Sequence, residues 1–367
     1  MTIIRSSSAV LIVVMIISSL ASSVVLSNLI TNLVYATTSL SQSIQHSQEK
    51  LQSEIVNEVQ QTINQTINDI NNNNSGANNQ TNDSEIQNSN TLPKSNQTLS
   101  VLDNKSSQKI RVGDIDIAYK QFGKGDPILM IPGFSMTMEM WGSILNDLAK
   151  NHTVVIFDNR GIGETTSGTK TFSMSQFVND TVGLIDALGI KKPIDVLGLS
   201  LGGMIAQELA LSNPEKINHL VLVASSCGGP NSLPPQLSPI DLQKMQTGTA
   251  NKTLFLHALF PDDWIRENMD QINRTFVFPQ VAQENLLKYG EALSHWEGTC
   301  NRLSSVDKPV LVVTGTEDIT SPPINSLKIA EKIPGAWLIQ MHDGGHGVMQ
   351  QYPETFNNIM ETFLSIT

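Results

Sequence analysis

Charge is scarce in this 367-residue chain, and positive charge scarcer still: 16% of residues are charged, with 23 Lys and Arg against 34 Asp and Glu, a net charge of −11. A basic face able to neutralise phosphates is therefore absent as a whole-chain property, which excludes nucleic acid as an expected partner. Cysteine is almost missing. The two present, Cys227 and Cys300, have no His/Cys spacing of a zinc site around them. In an oxidising exterior they could close one bridge; two unrelated buried thiols are the alternative. At about 100 to 200 residues per domain the length excludes a single tight module, and leaves one large domain with an appendage or two modest ones.

Charge is also missing from Ser6 through Ala36, where Ala9–Ile30 reads AVLIVVMIISSLASSVVLSNLI behind the lone Arg5. That run exceeds a signal-peptide core of about 7 to 15 residues and matches the ~20 needed to span a bilayer. Two readings of 1–36 stand: a signal peptide cut after Val34-Tyr35-Ala36, or an uncut membrane anchor. In both, Arg5 stays cytoplasmic and the remainder is exported, by the positive-inside bias. Residues 37–108 are rich in asparagine and poor in aromatics, a composition too apolar-poor to offset chain entropy, and are expected to be a disordered linker. Its Asn-x-Ser/Thr triplets at Asn64, Asn73, Asn79, Asn82, Asn96 and Asn104 suit an exported segment, glycosylated or not. A stripe of Ile44, Leu51, Ile55, Val59, Ile63, Ile67 and Ile70 has helical spacing and admits a short stalk.

From Lys109 the texture changes. Ile110–Val112 and Ile115–Tyr119 alternate in polarity around Gly113-Asp114, the pattern of a hairpin. Short apolar runs follow at Ile128–Ile131, Val154–Phe157, Ile194–Leu199, Leu220–Ala224, Val310–Thr314 and Trp337–Met341, as in parallel strands covered on both faces. Helical spacing fills the intervals at Met138–Ala149, Met174–Leu188, Leu201–Leu211, Pro323–Ile333 and Val348–Leu364. The alternation predicts a doubly wound, mostly parallel α/β sheet over 109–367, with ligands outside the carboxyl ends of its strands. It is interrupted at about 228–305 by a Pro-rich start and bulky residues in helix-compatible stretches, read as a helical cap rather than a second small domain.

Val196-Leu197-Gly198-Leu199-Ser200-Leu201-Gly202-Gly203-Met204 joins an expected buried strand directly to an expected helix. A serine at such a Gly-x-Ser-x-Gly turn sits on a strained backbone with its hydroxyl lifted clear of the sheet at a helix N-terminus. With Met130-Ile131-Pro132-Gly133-Phe134-Ser135, Phe157-Asp158-Asn159-Arg160-Gly161-Ile162-Gly163, Thr314-Gly315-Thr316-Glu317-Asp318 and Gly344-Gly345-His346-Gly347 in this order, the region 109–367 resembles the α/β-hydrolase superfamily, in its serine-nucleophile, enol-lactonase-like esterase branch. Pro132 departs from the histidine that many members carry.

The resemblance implies the α/β-hydrolase fold and a triad of Ser200 as nucleophile, His346 as base and Asp318 as the acid that orients it. His342 is the rival base and Glu317 the neighbour of the acid. Asp158 and Arg160 are read as structural. Oxyanion donors are expected in the backbone N–H groups of Phe134 and Leu201. Met204, Phe260, Trp264 and Trp296 are candidate pocket residues. No cofactor or metal is needed. The expected activity is hydrolysis of a carboxylic ester or lactone, a small molecule, by an exported or membrane-tethered enzyme. Three alternatives remain: a cofactor-free perhydrolase of the haloperoxidase type, a C–C bond hydrolase, and a non-catalytic surface binding protein with this fold.

Overall fold

The computed structural model describes residues 105–276, 278 and 280–366. The expected export segment 1–36 lies outside the described residues, as does the expected linker up to residue 104, with its apolar stripe and its Asn-x-Ser/Thr triplets. Among the described residues no helix is long and apolar enough to cross a membrane.

Eight strands form one sheet: β1 Gln108–Val112, β2 Ile115–Phe122, β3 Asp126–Ile131, β4 His152–Phe157, β5 Ile194–Leu199, β6 Ile217–Val223, β7 Val310–Gly315 and β8 Trp337–Met341. Their order is β1-β2-β4-β3-β5-β6-β7-β8. The hairpin β1/β2 and the β2/β4 pair are antiparallel, and every other neighbour is parallel. The apolar runs have no polar alternation because both faces are covered. Leu129, Ile131, Val196 and Val312 pack on one side. Ile128, Met130, Leu197 and Val313 pack on the other.

Helices α1 Gly142–Asn151, α2 Met174–Ala187, α3 Leu201–Ser212 and α9 Pro323–Lys332 connect the strands, and α10 Val348–Gln351 and α11 Pro353–Leu364 close the chain. Residues of α2, α3 and α9 bury their apolar stripes on the first face, and residues of α1, α10 and α11 on the second. The expected single helix over 348–364 is broken at Tyr352, which leaves helical backbone with φ −129° and ψ 56°. Pro353 is the cause: it has no N–H to donate, and its ring would clash with the carbonyl one turn back.

Between β6 and β7 lie α4 Pro239–Thr247, α5 Lys252–Leu259, α6 Asp262–Glu267, α7 Met269–Thr275 and α8 Gln283–Ser294, with no strand among the described residues. This segment is bound to the sheet layer at both ends. Phe255, Leu256, Leu259, Phe260 and Ile272 form an apolar cluster that takes in Met136 from the loop after β3, while Leu286, Tyr289 and Ala292 of α8 join the main core. At its neck Cys227 and Cys300 form a disulfide with a Cα–Cα distance of 4.9 Å. The neck is knitted further by the Thr299 N–H to the Cys227 carbonyl (2.7 Å) and by Thr299 Oγ1 to Gln207 Oε1 of α3 (2.6 Å).

A bridge across a 73-residue separation removes much loop-closure freedom from the unfolded chain. Replacing Cys227 and Cys300 together by serine is expected to lower unfolding stability by about 2 to 4 kcal/mol. Denaturant unfolding checks this, and an unchanged midpoint would contradict it.

Candidate active site

Ser200 joins β5 to α3 with φ 54° and ψ −117°, a region costing of order 1 to 3 kcal/mol for a residue with a side chain. It is held there from three directions. Its N–H donates to the Val223 carbonyl (2.9 Å), its own carbonyl accepts the Met204 N–H (3.1 Å), and the Ser225 hydroxyl donates to the same carbonyl (2.9 Å). The flanking glycines are a steric requirement. A Cβ on Gly198 would lie 2.3 Å from the Gly202 carbonyl oxygen, and one on Gly202 would lie 2.0 Å from that of Ile131.

Four non-glycine residues among those described have positive φ: Ser135, Ser200, Ala224 and Asp343. Each lies just beyond the carboxyl end of β3, β5, β6 or β8. Strain of this kind concentrates where a site must be held in a fixed shape, at the sheet edge where ligands of open α/β folds bind. Sequence reasoning singled out Ser200 alone; nothing about a serine, alanine or aspartate elsewhere marks a left-handed backbone.

His346 and Asp318 meet at this edge. His346 Nδ1 lies 2.9 Å from Asp318 Oδ2 and 3.1 Å from Oδ1, and both side chains are buried. Asp318 Oδ1 also accepts the N–H groups of Thr320 (2.9 Å) and Ser321 (2.7 Å). Their two loops are fastened together: the Glu317 N–H donates to the Gly344 carbonyl (2.8 Å), and the Thr316 N–H to that of Met341 (3.0 Å). Gln351, which sequence reasoning missed, accepts the Gly345 N–H at 2.6 Å and donates to the Asp343 carbonyl at 3.1 Å. The rival His342 has a side chain 89% exposed and pairs with the adjacent Asp343. Glu317 is exposed. With Nδ1 donating to the carboxylate, the Nε2 of His346 is left as an acceptor. No hydrogen bond joins it to Ser200 among the described residues. Such contacts are commonly long until substrate is seated.

The loop after β3 approaches Ser200 closely, since a Cβ on Gly133 would lie 3.4 Å from that of Ser200. Neither the Phe134 nor the Leu201 N–H has a hydrogen-bond partner among the described residues; Leu201 opens α3, whose first N–H groups have no intrahelical acceptor.

The segment between β6 and β7 packs against the loops that carry His346 and Phe134. The Phe260 ring lies 2.4 Å from the Cβ that Gly347 lacks, packs against Trp264 at 4.7 Å between ring centroids, and the Gly347 N–H donates to the Leu259 carbonyl (2.8 Å). Phe134 meets Tyr289 edge-on at 6.1 Å, and Met204 is half-buried against the main core. Trp296 lies at the neck instead, its indole N–H donating to Glu208 Oε1 (2.7 Å) and its ring over Gly228.

Asp158 and Arg160 lie in the turn after β4. The Arg160 guanidinium, fully buried, binds Asp180 (2.7 Å) and Asp114 (2.9 Å). Burial pushes the Asp158 carboxyl up to about 6, against the pull of the Glu164 and Met138 N–H groups that it accepts. Among the described residues no cluster of three or more His, Cys, Asp or Glu is placed to hold a metal ion.

A family model for the alpha/beta hydrolase fold matches residues 126–350. RutD of Azorhizobium caulinodans, named as a carbamate hydrolase, is 26% identical over 68% of this chain and 96% of its own length. BpoC of Mycobacterium tuberculosis, named as a non-heme bromoperoxidase, is 28% identical over 68% of this chain and 98% of its own. The enol-lactonase of Burkholderia xenovorans LB400 superposes with a TM-score of 0.62 at 21% identity, over 70% of this chain and all of its own, a likeness of fold. The chain belongs to the alpha/beta hydrolase fold family, as a hydrolase.

Proposed function

We propose that this hydrolase cleaves a small carboxylic ester or lactone through an acyl-enzyme on Ser200. The observation that carries the reading is the buried Asp318–His346 pair at the same sheet edge as a serine on a strained strand-to-helix turn. His346 Nε2 takes the Ser200 proton as Oγ attacks the carbonyl carbon. The carbonyl π electrons move to oxygen, where the free N–H groups of Leu201 and Phe134 receive the developing charge. Collapse of the tetrahedral species breaks the bond to the alkoxy group, which leaves with the proton from His346. Water then repeats the sequence, and Ser200 is regenerated with the acid as product. Asp318 keeps its charge and stabilises the imidazolium.

The aromatic surroundings at Phe260, Trp264, Phe134 and Tyr289 support an uncharged substrate, with Met204, Phe260 and Trp264 as pocket residues. The likeness to BpoC keeps perhydrolysis, in which peroxide replaces water as acyl acceptor, as a second reading. We also propose export, with 1–36 as signal or anchor, 37–108 as tether and 109–367 as the catalytic unit with its cap at 228–305. Fractionation of expressing cells then finds the protein outside the cytoplasm, in the membrane or the medium; a cytoplasmic pool overturns this part.

A fluorophosphonate probe is expected to label the wild type and not Ser200→Ala, and that variant should lose ester turnover by about 10⁴-fold or more. Absence of labelling in the wild type would favour a binding protein. Asp318→Asn should keep the fold and lose about 10⁴-fold in kcat on a p-nitrophenyl ester, through the wrong imidazole tautomer. Peroxide-dependent halide oxidation faster than ester hydrolysis would favour perhydrolysis.

A further inference from the structure

The loop that carries the Phe134 N–H has little of its own to hold it. Between Gly133 and Thr137 it contains one internal turn, the Met136 N–H to the Gly133 carbonyl (3.2 Å), and it passes through Ser135 at φ 59°. An oxyanion donor is useful only if it is fixed before the charge develops, because a donor that must reorganise returns its advantage. Something outside the loop has to fix it.

Both ends are gripped by consecutive residues of the turn after β4. At the entrance, Asn159 Nδ2 donates to the carbonyl of Pro132 at 3.1 Å. At the exit, Asp158 Oδ1 accepts the N–H of Met138 at 2.7 Å. The turn is itself anchored. Asp158 Oδ2 accepts the Glu164 N–H (2.9 Å), the Asp158 N–H donates to the Ala118 carbonyl (3.0 Å), and Thr165 bridges the Asp158 carbonyl (2.8 Å) and the Ala118 N–H (2.9 Å). Both side chains are buried, with 2% and 5% exposure, so water does not compete for these bonds. The Pro132 carbonyl is also pressed against the nucleophile helix, at 2.8 Å from where a Gly202 Cβ would stand. Its direction therefore sets how the next two peptides pass over Ser200.

We propose that Asn159 and Asp158 are positioning residues for the oxyanion loop, Asn159 fixing its entrance through Pro132 and Asp158 its exit through Met138, so that the Phe134 N–H is held facing the Ser200 hydroxyl. The proposal rests on the serine-hydrolase reading above. It gives the turn a part in catalysis that its ion-paired neighbour Arg160, committed to Asp114 and Asp180, does not share.

The test uses Asn159→Leu, which keeps the approximate shape and removes the donor, with Asp158→Asn as a second variant in case the first folds poorly. Two measurements are made on each. Hydrogen exchange over residues 133–140 is expected to speed up while β5 and β7 stay protected. Kinetics on an oxoester and the matching thionoester are expected to show kcat for the oxoester lowered by about tenfold or more, with KM little changed. The thionoester sulfur gains less from the two N–H groups, so its rate falls less and the oxo-to-thiono ratio drops toward one. Unchanged exchange with unchanged kcat overturns the proposal, and so does an equal fall for both esters, which is what a general loss of structure gives. A wild type inert to esters and to fluorophosphonate sinks the serine-hydrolase reading and with it the catalytic role; exchange then still decides whether the two residues hold the loop.

Discussion

A single strained residue organises the working edge of this molecule. Ser200 sits at φ 54°, outside the regions that a serine adopts freely, and stays there because three hydrogen bonds and two close backbone approaches determine it. The approaches matter more than the bonds. Where Gly202 lacks a Cβ, the Ile131 and Pro132 carbonyls come within about 3 Å of the empty position, and no other residue type would let the β3 loop lie so near the start of α3. The turn that carries the serine and the close approach of the β3 loop to it thus depend on the same missing side chain.

The same economy of space recurs on the other side. A Cβ on Gly315 would lie 2.0 Å from the Gly344 carbonyl oxygen, so the loop that carries the acid and the loop that carries the histidine are in backbone contact. Main-chain packing therefore holds the two loops together, with Gln351 bracing the histidine loop from α10. This is the condition under which an imidazole can be both buried and correctly oriented.

The inner strands of the sheet were legible in the sequence because they are covered on both faces and so read as apolar runs, while the edge hairpin was legible by its alternation. Where a strand departs from that pattern its boundary was not. β6 begins at Ile217, three residues before the apolar run, because Asn218 and His219 look like loop residues. His219 is in fact buried, bonded to Asp195 Oδ1 (2.8 Å) and to the Ile366 carbonyl (2.8 Å), partners distant in sequence that no local pattern reveals. The two histidines near β8 illustrate the same limit at the site. The resemblance of its glycine-flanked loop favours His346 over His342, whereas the difference in their burial is a tertiary property that the sequence did not carry. The supports of the loops, Gln351, Asn159 and Ser225, were illegible for a further reason. Each acts through its amide or hydroxyl on a backbone group of another segment, and polar residues of that kind occur throughout the chain without such a task.

The segment between β6 and β7 is joined to the loops around Ser200 at several points. The end of α5 accepts the Gly347 N–H through Leu259 and the Thr320 hydroxyl through Ala258, so it touches the histidine loop and the acid loop at once. Phe260, the next residue, fills the space that Gly347 leaves open. Met136 ties the β3 loop into the same apolar cluster. A rigid-body opening of this segment would break these contacts together and disturb three loops of the site. Residues that shape the apolar surroundings and residues that hold the imidazole are thus neighbours in one packed cluster, and a change in the first is felt by the second.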